Sequence, residues 1–389
     1  MISRRQITRI IASGFCLPLA PLSLAEAAIR TGRRLVLVEL SGANDGLNTV
    51  VPHRDDRYRA LRPNIALSGQ EILDIGGDMA LHDGLRALDE AWQAGEMAIV
   101  QGLGYPEQNR SHFQSIALWE TGGDGTRQGR SGWLTEDIEA GFDATALDAH
   151  GISLDGGMGV FASSDGMWLS MTSMHQLMSL ERMNAQSRAE SGGNPAMELL
   201  LDRANSLNQS IERITERIAT RGPTDFRMPY GEFAQQFAIA LRLIDAGVEA
   251  PVLKVRLDGF DTHDYQLWQH RNLLTQLGDG LAAFRRGLRQ IGQWDNTLIM
   301  TYSEFGRRAE ENASMGTDHG AAAPHFLLGG RVGGGLWGTT PNLGALNAGD
   351  LTHTMDYRSV YHAVLADWFG LPRNRFDTFQ SDELSSLFA

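Results

Sequence analysis

The sequence predicts an α/β fold, a mostly parallel central sheet with helices on both faces, carrying one helix-rich insertion. Three observations predict it. Short apolar runs of β-forming residues recur without helical period; amphipathic helical patterns alternate with them; and several runs pass directly into loops bearing acids and histidines. A chain of 389 residues with 42% hydrophobic content can bury the core that such a sheet needs.

Residues 1–27 read as an export signal. A basic start with paired Arg4 and Arg5 leads into an apolar stretch, and Ala25-Glu26-Ala27 gives a small-x-small cleavage pattern. The apolar stretch is too short and too broken by Pro and Gly to span a membrane. "SRRQIT" resembles the twin-arginine signal, which predicts a periplasmic or secreted protein exported already folded. Cleavage removes Cys16, the only cysteine, so the mature chain has no disulfide and no thiolate ligand or nucleophile. Any metal must then be held by His and carboxylate, and any nucleophile must be a hydroxyl or a water.

Residues 28–389 read as one domain. "RRLVLVEL" (33–40) is a buried strand, and "LHDGLRALDEAWQAG" (81–95) is an amphipathic helix closed by glycine. "EMAIVQGLG" is a second strand, followed by a turn and a helix ending at Thr121-Gly122. Residues about 170–221 form the insertion, in which Leu and Ile at three- and four-residue spacing make one apolar face. The strands resume with "APVLKVRL" and "TLIMTY", separated by a long helix; "HFLLGG" and the helix "YRSVYHAVLADWFGL" complete the pattern.

In open parallel sheets, ligands bind beyond the carboxyl ends of the strands. Here those ends lead to Asp45, to Asp258, Asp261 and His263, and to Glu304, with Asp318 and His319 in the next loop. Each alone reads equally as a turn or capping residue. Together they form a donor set suited to a divalent cation, Zn²⁺ first, with Mn²⁺ or Ca²⁺ as alternatives. Ser111 stands where a turn becomes a helix, a place that suits either a plain N-cap or a hydroxyl facing a bound anion. His112 beside it is either an assistant to Ser111 or a helix-surface residue. Arg110 and Arg307 are either oxyanion clamps or surface ion-pair partners. The formal charge of −13 argues against nucleic acid and anionic membrane surfaces as partners.

"LVLVELSGANDGLNTVVP", "GYPEQNRSHFQSIALWETG", "SEFGRR", "GTDHGAAAP" and "DYRSVYHAVLADWFG" resemble the secreted bacterial DUF1501 family, which is grouped with the alkaline phosphatase/sulfatase superfamily. The resemblance runs over roughly residues 34–372. It implies an alkaline-phosphatase-like fold with divalent metal around a hydroxyl nucleophile, and a small anionic phosphate or sulfate ester as substrate. Carried over, Asp45 would bridge metal and nucleophile, and Ser111 would be the nucleophile. Asp261 or Asp258 would pair with His263, and Glu304 and His319 would complete the ligands, with Asp318 alongside. Phe305 departs from the superfamily pattern, standing where sulfatases place an amide or His ligand. A protein that kept the fold and lost catalysis, serving as a secreted binding or assembly protein, is the alternative.

Overall fold

The strand β1 (Arg34–Ser41) is the axis of the sheet. Its residues Leu35 to Leu40 are buried on both faces, as a central parallel strand requires. In the computed structural model, which describes residues 32–124, 128–163, 165–177, 179, 195–371 and 373–388, β1 pairs in parallel with β8 (Val252–Asp258) and with β9 (Thr297–Tyr302). Ser41 lies opposite Asp258 and Glu39 opposite Tyr302, so the three strands end almost level. The export signal at 1–27 lies outside the described residues, as do 178 and 180–194 of the insertion.

Nine strands make the sheet. Beyond β8 lie β6 (Gly151–Ser153) and β7 (Trp168–Ser170), both parallel. Beyond β9 lie β12 (Ala323–Leu328), β5 (Met97–Gly104) and β13 (Gly335–Trp337), with β14 (Met355–Asp356) extending from β5. Only β12 runs antiparallel to its neighbours among these pairings. Two small sheets stand apart: β2 (Val50–Val51), β3 (Ile72–Asp74) and β4 (Ala80–His82) form one, and β10 (Arg307–Glu311) with β11 (Thr317–His319) forms the other.

Side-chain alternation along β1 divides the core in two. Val36, Val38 and Leu40 pack with Phe237 and Leu241 of the helix Glu232–Asp245 and with Leu277 and Leu281 of the helix Gln266–Gln290. The helix Pro195–Arg221 adds Ile211, Ile214 and Ile218 to that layer, so this part of the insertion is anchored to the core. Leu35 and Leu37 face the other way, onto Leu118 and Trp119 of the helix His112–Thr121 and onto Val360 and Tyr361 of the helix Tyr357–Ala363. Helices therefore cover both faces. No helix among the described residues is long and apolar enough to cross a membrane.

The strand directions bring the carboxyl ends of β1, β5, β8 and β9 and the amino end of β12 to one edge. There the loop after β1 meets the loop after β8 at backbone contact. Gly42 sits at φ +109°, and a Cβ on it would lie 2.5 Å from the Asp261 amide nitrogen.

Candidate metal centre

Four side chains from three separate segments converge at this edge. His112 opens its helix, Asp261 and His263 follow β8, and His319 ends β11. The atoms His112 Nε2, His319 Nε2 and Asp261 Oδ1 lie 3.0, 3.3 and 3.4 Å from one another. His263 Nε2 joins the pair His319 Nε2 and Asp261 Oδ1, at 2.9 Å from each.

The far side of each imidazole is held by an oxygen. His319 Nδ1 donates to the Arg110 carbonyl at 2.9 Å. His112 Nδ1 faces Glu304 Oε1 at 3.4 Å, and His263 Nδ1 faces Asp318 Oδ1 at 3.7 Å. A neutral imidazole with its proton on Nδ1 presents a lone pair at Nε2. Lone pairs meeting at 3.0 Å beside a carboxylate repel unless a proton or a metal cation lies among them. Imidazole nitrogens oriented by outer oxygens, together with one carboxylate and no thiolate, fit Zn²⁺ or a similar divalent ion. Among the described residues, His112, Asp261 and His319 meet mutually as a metal-capable group.

The electrostatics agree with that donor set. Burial works to raise the Asp261 carboxyl, but the Arg307 hydrogen bond and charge, aided by His263 and His319, hold it at about 2. His112 is raised from its usual value, chiefly by its hydrogen bond to Glu304. His319 is lowered, first by burial and also by the Arg307 charge. Glu304 is buried, which alone would raise it; the hydrogen bonds from His112 and from the Gly42 and Ala43 amides, both 2.8 Å, bring it below the usual range.

The remaining residues named from the sequence lie around this point in different roles. Asp45 is outside the cluster. It is fully buried against Arg62, with contacts of 2.6 and 3.0 Å, accepts from Gln266, and caps the Leu47 amide. Asp258 points along the strand to Arg256 and is largely exposed. Glu304 stands behind His112 and binds the loop after β1, while Asp318 stands behind His263 and accepts from Asn312.

Ser111 is exposed at the N-cap of the helix His112–Thr121, and its hydroxyl makes no capping bond. Arg110 is paired with Asp350. Arg307 departs most from the expected oxyanion clamp. Its guanidinium is buried and committed to the carbonyls of Ala43, Thr317 and Phe260 and to Asp261 Oδ1 at 2.7 Å. It ties three loops together and has no face left for a substrate anion.

Phe305 is buried, with its ring 5.0 Å from His112 and 4.8 Å from His319, so it walls the cluster with an apolar surface. Arg62 and Gln266 were not singled out in the sequence. Each sits in a helical or loop pattern, and nothing local marks it as a partner of Asp45.

The model of the family described as protein of unknown function (DUF1501) matches residues 91–376. The chain belongs to that family. No curated protein sequence matches this one. Solved structures similar to the DUF1501 chain include an alkaline phosphatase from the Antarctic bacterium TAB5, at 9% identity, covering 88% of this chain and 99% of that one, with a TM-score of 0.39. The PsFucS1 sulfatase from Pseudoalteromonas sp. is similar at 10% identity over 94% of this chain and 76% of its own, with a TM-score of 0.42. The C-terminal periplasmic domain of EcEptC from Escherichia coli, solved with Zn, is similar at 9% identity over 76% and 72%, with a TM-score of 0.37. The sheet is mostly parallel, with helices on both faces. Likeness of this degree does not bear on activity.

Proposed function

We propose that this DUF1501 protein is an exported, metal-dependent hydrolase of phosphate or sulfate esters, using Ser111 as nucleophile. The observation that carries the reading is the meeting of His112 Nε2, His319 Nε2 and Asp261 Oδ1 at 3.0 to 3.4 Å, with His263 beside them. These four residues would hold a divalent cation, Zn²⁺ by donor type, and Glu304, Asp318 and the Arg110 carbonyl would orient the imidazoles. Bound there, the cation supplies Lewis acidity and neutralises anionic charge.

The chain's own groups do the rest. Arg307 fixes Asp261 and the loop after β1, so the carboxylate is positioned before substrate arrives. Phe305 excludes water from one side of the imidazoles. The Ser111 hydroxyl, exposed and free of a cap bond, lies in sequence between the residue that holds His319 and the residue that joins the cluster. In this reading Ser111 Oγ gives up its proton as it bonds to phosphorus or sulfur, the ester's alkoxide takes up a proton as it leaves, and water then cleaves the seryl ester to restore the hydroxyl.

A specific observation favours a second reading, a secreted binding or assembly protein that keeps the metal. Both Arg110 and Arg307 are engaged within the protein, so no arginine of the original set is free to clamp an oxyanion. Hydrolysis of aryl phosphates and aryl sulfates by the Zn²⁺-loaded mature chain, compared with Ser111→Ala, separates the two. A rate that falls about a thousandfold in Ser111→Ala with metal content unchanged supports the hydrolase. Equal rates in the two proteins remove Ser111 as nucleophile. No turnover in a metal-loaded wild type leaves the binding protein.

A further inference from the structure

We infer that Gln266 is a positioning residue of the metal centre: its side-chain amide sets how the segment bearing Asp261 and His263 meets the strand bearing His319. The inference rests on reading that cluster as a metal centre, and it adds a residue that acts on the ligands only through its neighbours.

Gln266 opens the helix Gln266–Gln290 on its inward stripe, where the buried His270, Leu273, Leu274 and Leu277 follow at helical spacing. An amide fully buried at such a position has to find partners there. Gln266 finds three. Its Nε2 donates to Asp45 Oδ2, and its Oε1 accepts from Thr317 Oγ1 at 2.7 Å and from Thr262 Oγ1 at 3.2 Å. The Asp45 carboxylate, bound to Arg62 at 2.6 Å, only accepts. It therefore turns the amide nitrogen toward itself and the oxygen toward the two threonines.

Those partners stand where they control the ligands. Thr262 lies between Asp261 and His263 in the chain, and Thr317 opens β11 on the face that His319 shares two residues later. One amide thus links the loop after β1, the loop after β8 and β11, where His263 Nε2 and His319 Nε2 come to 2.9 Å. Arg307 takes the Thr317 carbonyl at 3.0 Å, so Thr317 is held by its backbone and by its hydroxyl.

The backbone at this junction is strained. Tyr265 and Met315 take φ +42° and +57°, left-handed values that bulky side chains rarely adopt. The two meet across the junction: the Tyr265 amide donates to the Ser314 carbonyl and the Gln266 amide to the Met315 carbonyl, both at 3.0 Å. Such conformations persist where surrounding contacts over-determine them, and the Gln266 side chain is one of those contacts.

A clamp that merely held the fold would lower stability and leave the coordination of a bound ion alone, so the test reads coordination. The mature chain is loaded with Zn²⁺ or Co²⁺; Zn²⁺ affinity is read by chelator competition and the Co²⁺ ligand field by visible absorption. Gln266→Leu and Thr317→Val should each bind Zn²⁺ about 10- to 100-fold more weakly, with the Co²⁺ band altered in position and intensity. Thr317→Ser, which keeps the hydroxyl, should match the wild type in both readouts. Ser210→Ala removes a buried hydrogen bond to the Asp148 carbonyl ahead of β6, at the opposite end of the sheet, and should cost stability while both readouts stay unmoved. Thr317→Val decides the matter if Gln266→Leu fails to fold. Wild-type affinity and absorption in Gln266→Leu and Thr317→Val would overturn the inference and leave the metal centre standing. An equal loss in Ser210→Ala would overturn it too, since the readouts would then follow stability alone, as would a Thr317→Ser that behaves like Thr317→Val. A wild type that takes up neither ion would overturn the inference together with the metal reading.

Discussion

The Nε2 atoms of His112 and His319 face each other at 3.0 Å, while the Nδ1 atoms of the same two rings face Glu304 Oε1 and the Arg110 carbonyl. Two neutral rings keep these outer partners only with both Nε2 lone pairs inward, so the pair is satisfied either by a proton shared across the 3.0 Å gap or by a metal cation. Mature protein purified without chelator is expected to carry one or two equivalents of divalent metal, as read by elemental mass spectrometry, and His319→Ala to carry far less. Stripping the wild type should lower its thermal stability, and Zn²⁺ at a hundred times its Kd should restore about 2.7 kcal/mol. A wild type that stays metal-free after supplementation would end the metal reading.

Glu304 is argued to act through His112, so its loss should appear first in metal affinity. Glu304→Gln keeps the size but removes the charge that orients the His112 ring and receives the Gly42 and Ala43 amides. Metal affinity is expected to fall about 10- to 100-fold, measured by chelator competition. The other histidine ligands should remain in place. An unchanged affinity would leave Glu304 as a loop anchor only.

The buried pair Asp45–Arg62 gives a different signature. Arg62→Met leaves an ionised Asp45 buried among Gln266 and the Leu47 amide with its cation gone. Loss of about 3–5 kcal/mol is expected from urea unfolding, because an uncompensated buried charge remains. Asp45→Asn should cost stability without lowering the metal equivalents. Loss of metal in Asp45→Asn with the fold intact would instead make Asp45 a ligand.

How far the sequence carried can be seen in these same residues. The alternation of strands and helices has a local cause, apolar periodicity, and it gave the sheet, both helical layers and the edge where the acids gather. The cluster itself depends on contacts between residues far apart in the chain. His112 read equally as an assistant to Ser111 and as a helix-surface residue, and its place beside His319 and Glu304 was hidden because they are 207 and 192 positions away. Arg307 read equally as an anion clamp, because a planar guanidinium matches phosphate or sulfate, and as a surface ion-pair partner. Only folding shows its donors spent on the carbonyls of Ala43, Thr317 and Phe260. Asp45 read as a ligand by its place after β1, while the arginine that neutralises it comes from a helix end with no local signal. Strand-end position predicts proximity to the site; it does not predict which partner a carboxylate takes.

The last prediction concerns Glu120, away from the histidines, on the helix His112–Thr121. Burial lifts its carboxyl from the usual 4.5 to about 7; Glu39 and Asp155 push in the same direction, and Lys254 and Arg256 oppose. Between those pH values the folded protein holds the proton and the unfolded chain does not. Stability from this group is therefore complete below about pH 4.5, declines as pH rises, and is lost above about pH 7. The full loss is up to about 3 kcal/mol at about 1.4 kcal/mol per pH unit. Glu120→Gln stays neutral throughout, so its stability relative to wild type should be near zero difference at pH 4 and rise in its favour toward pH 8. Urea unfolding of both proteins across that range measures the difference directly. A difference that stays flat from pH 4 to pH 8 would mean that Glu120 ionises as freely in the folded protein as in the unfolded chain, and that the Lys254 charge offsets its burial.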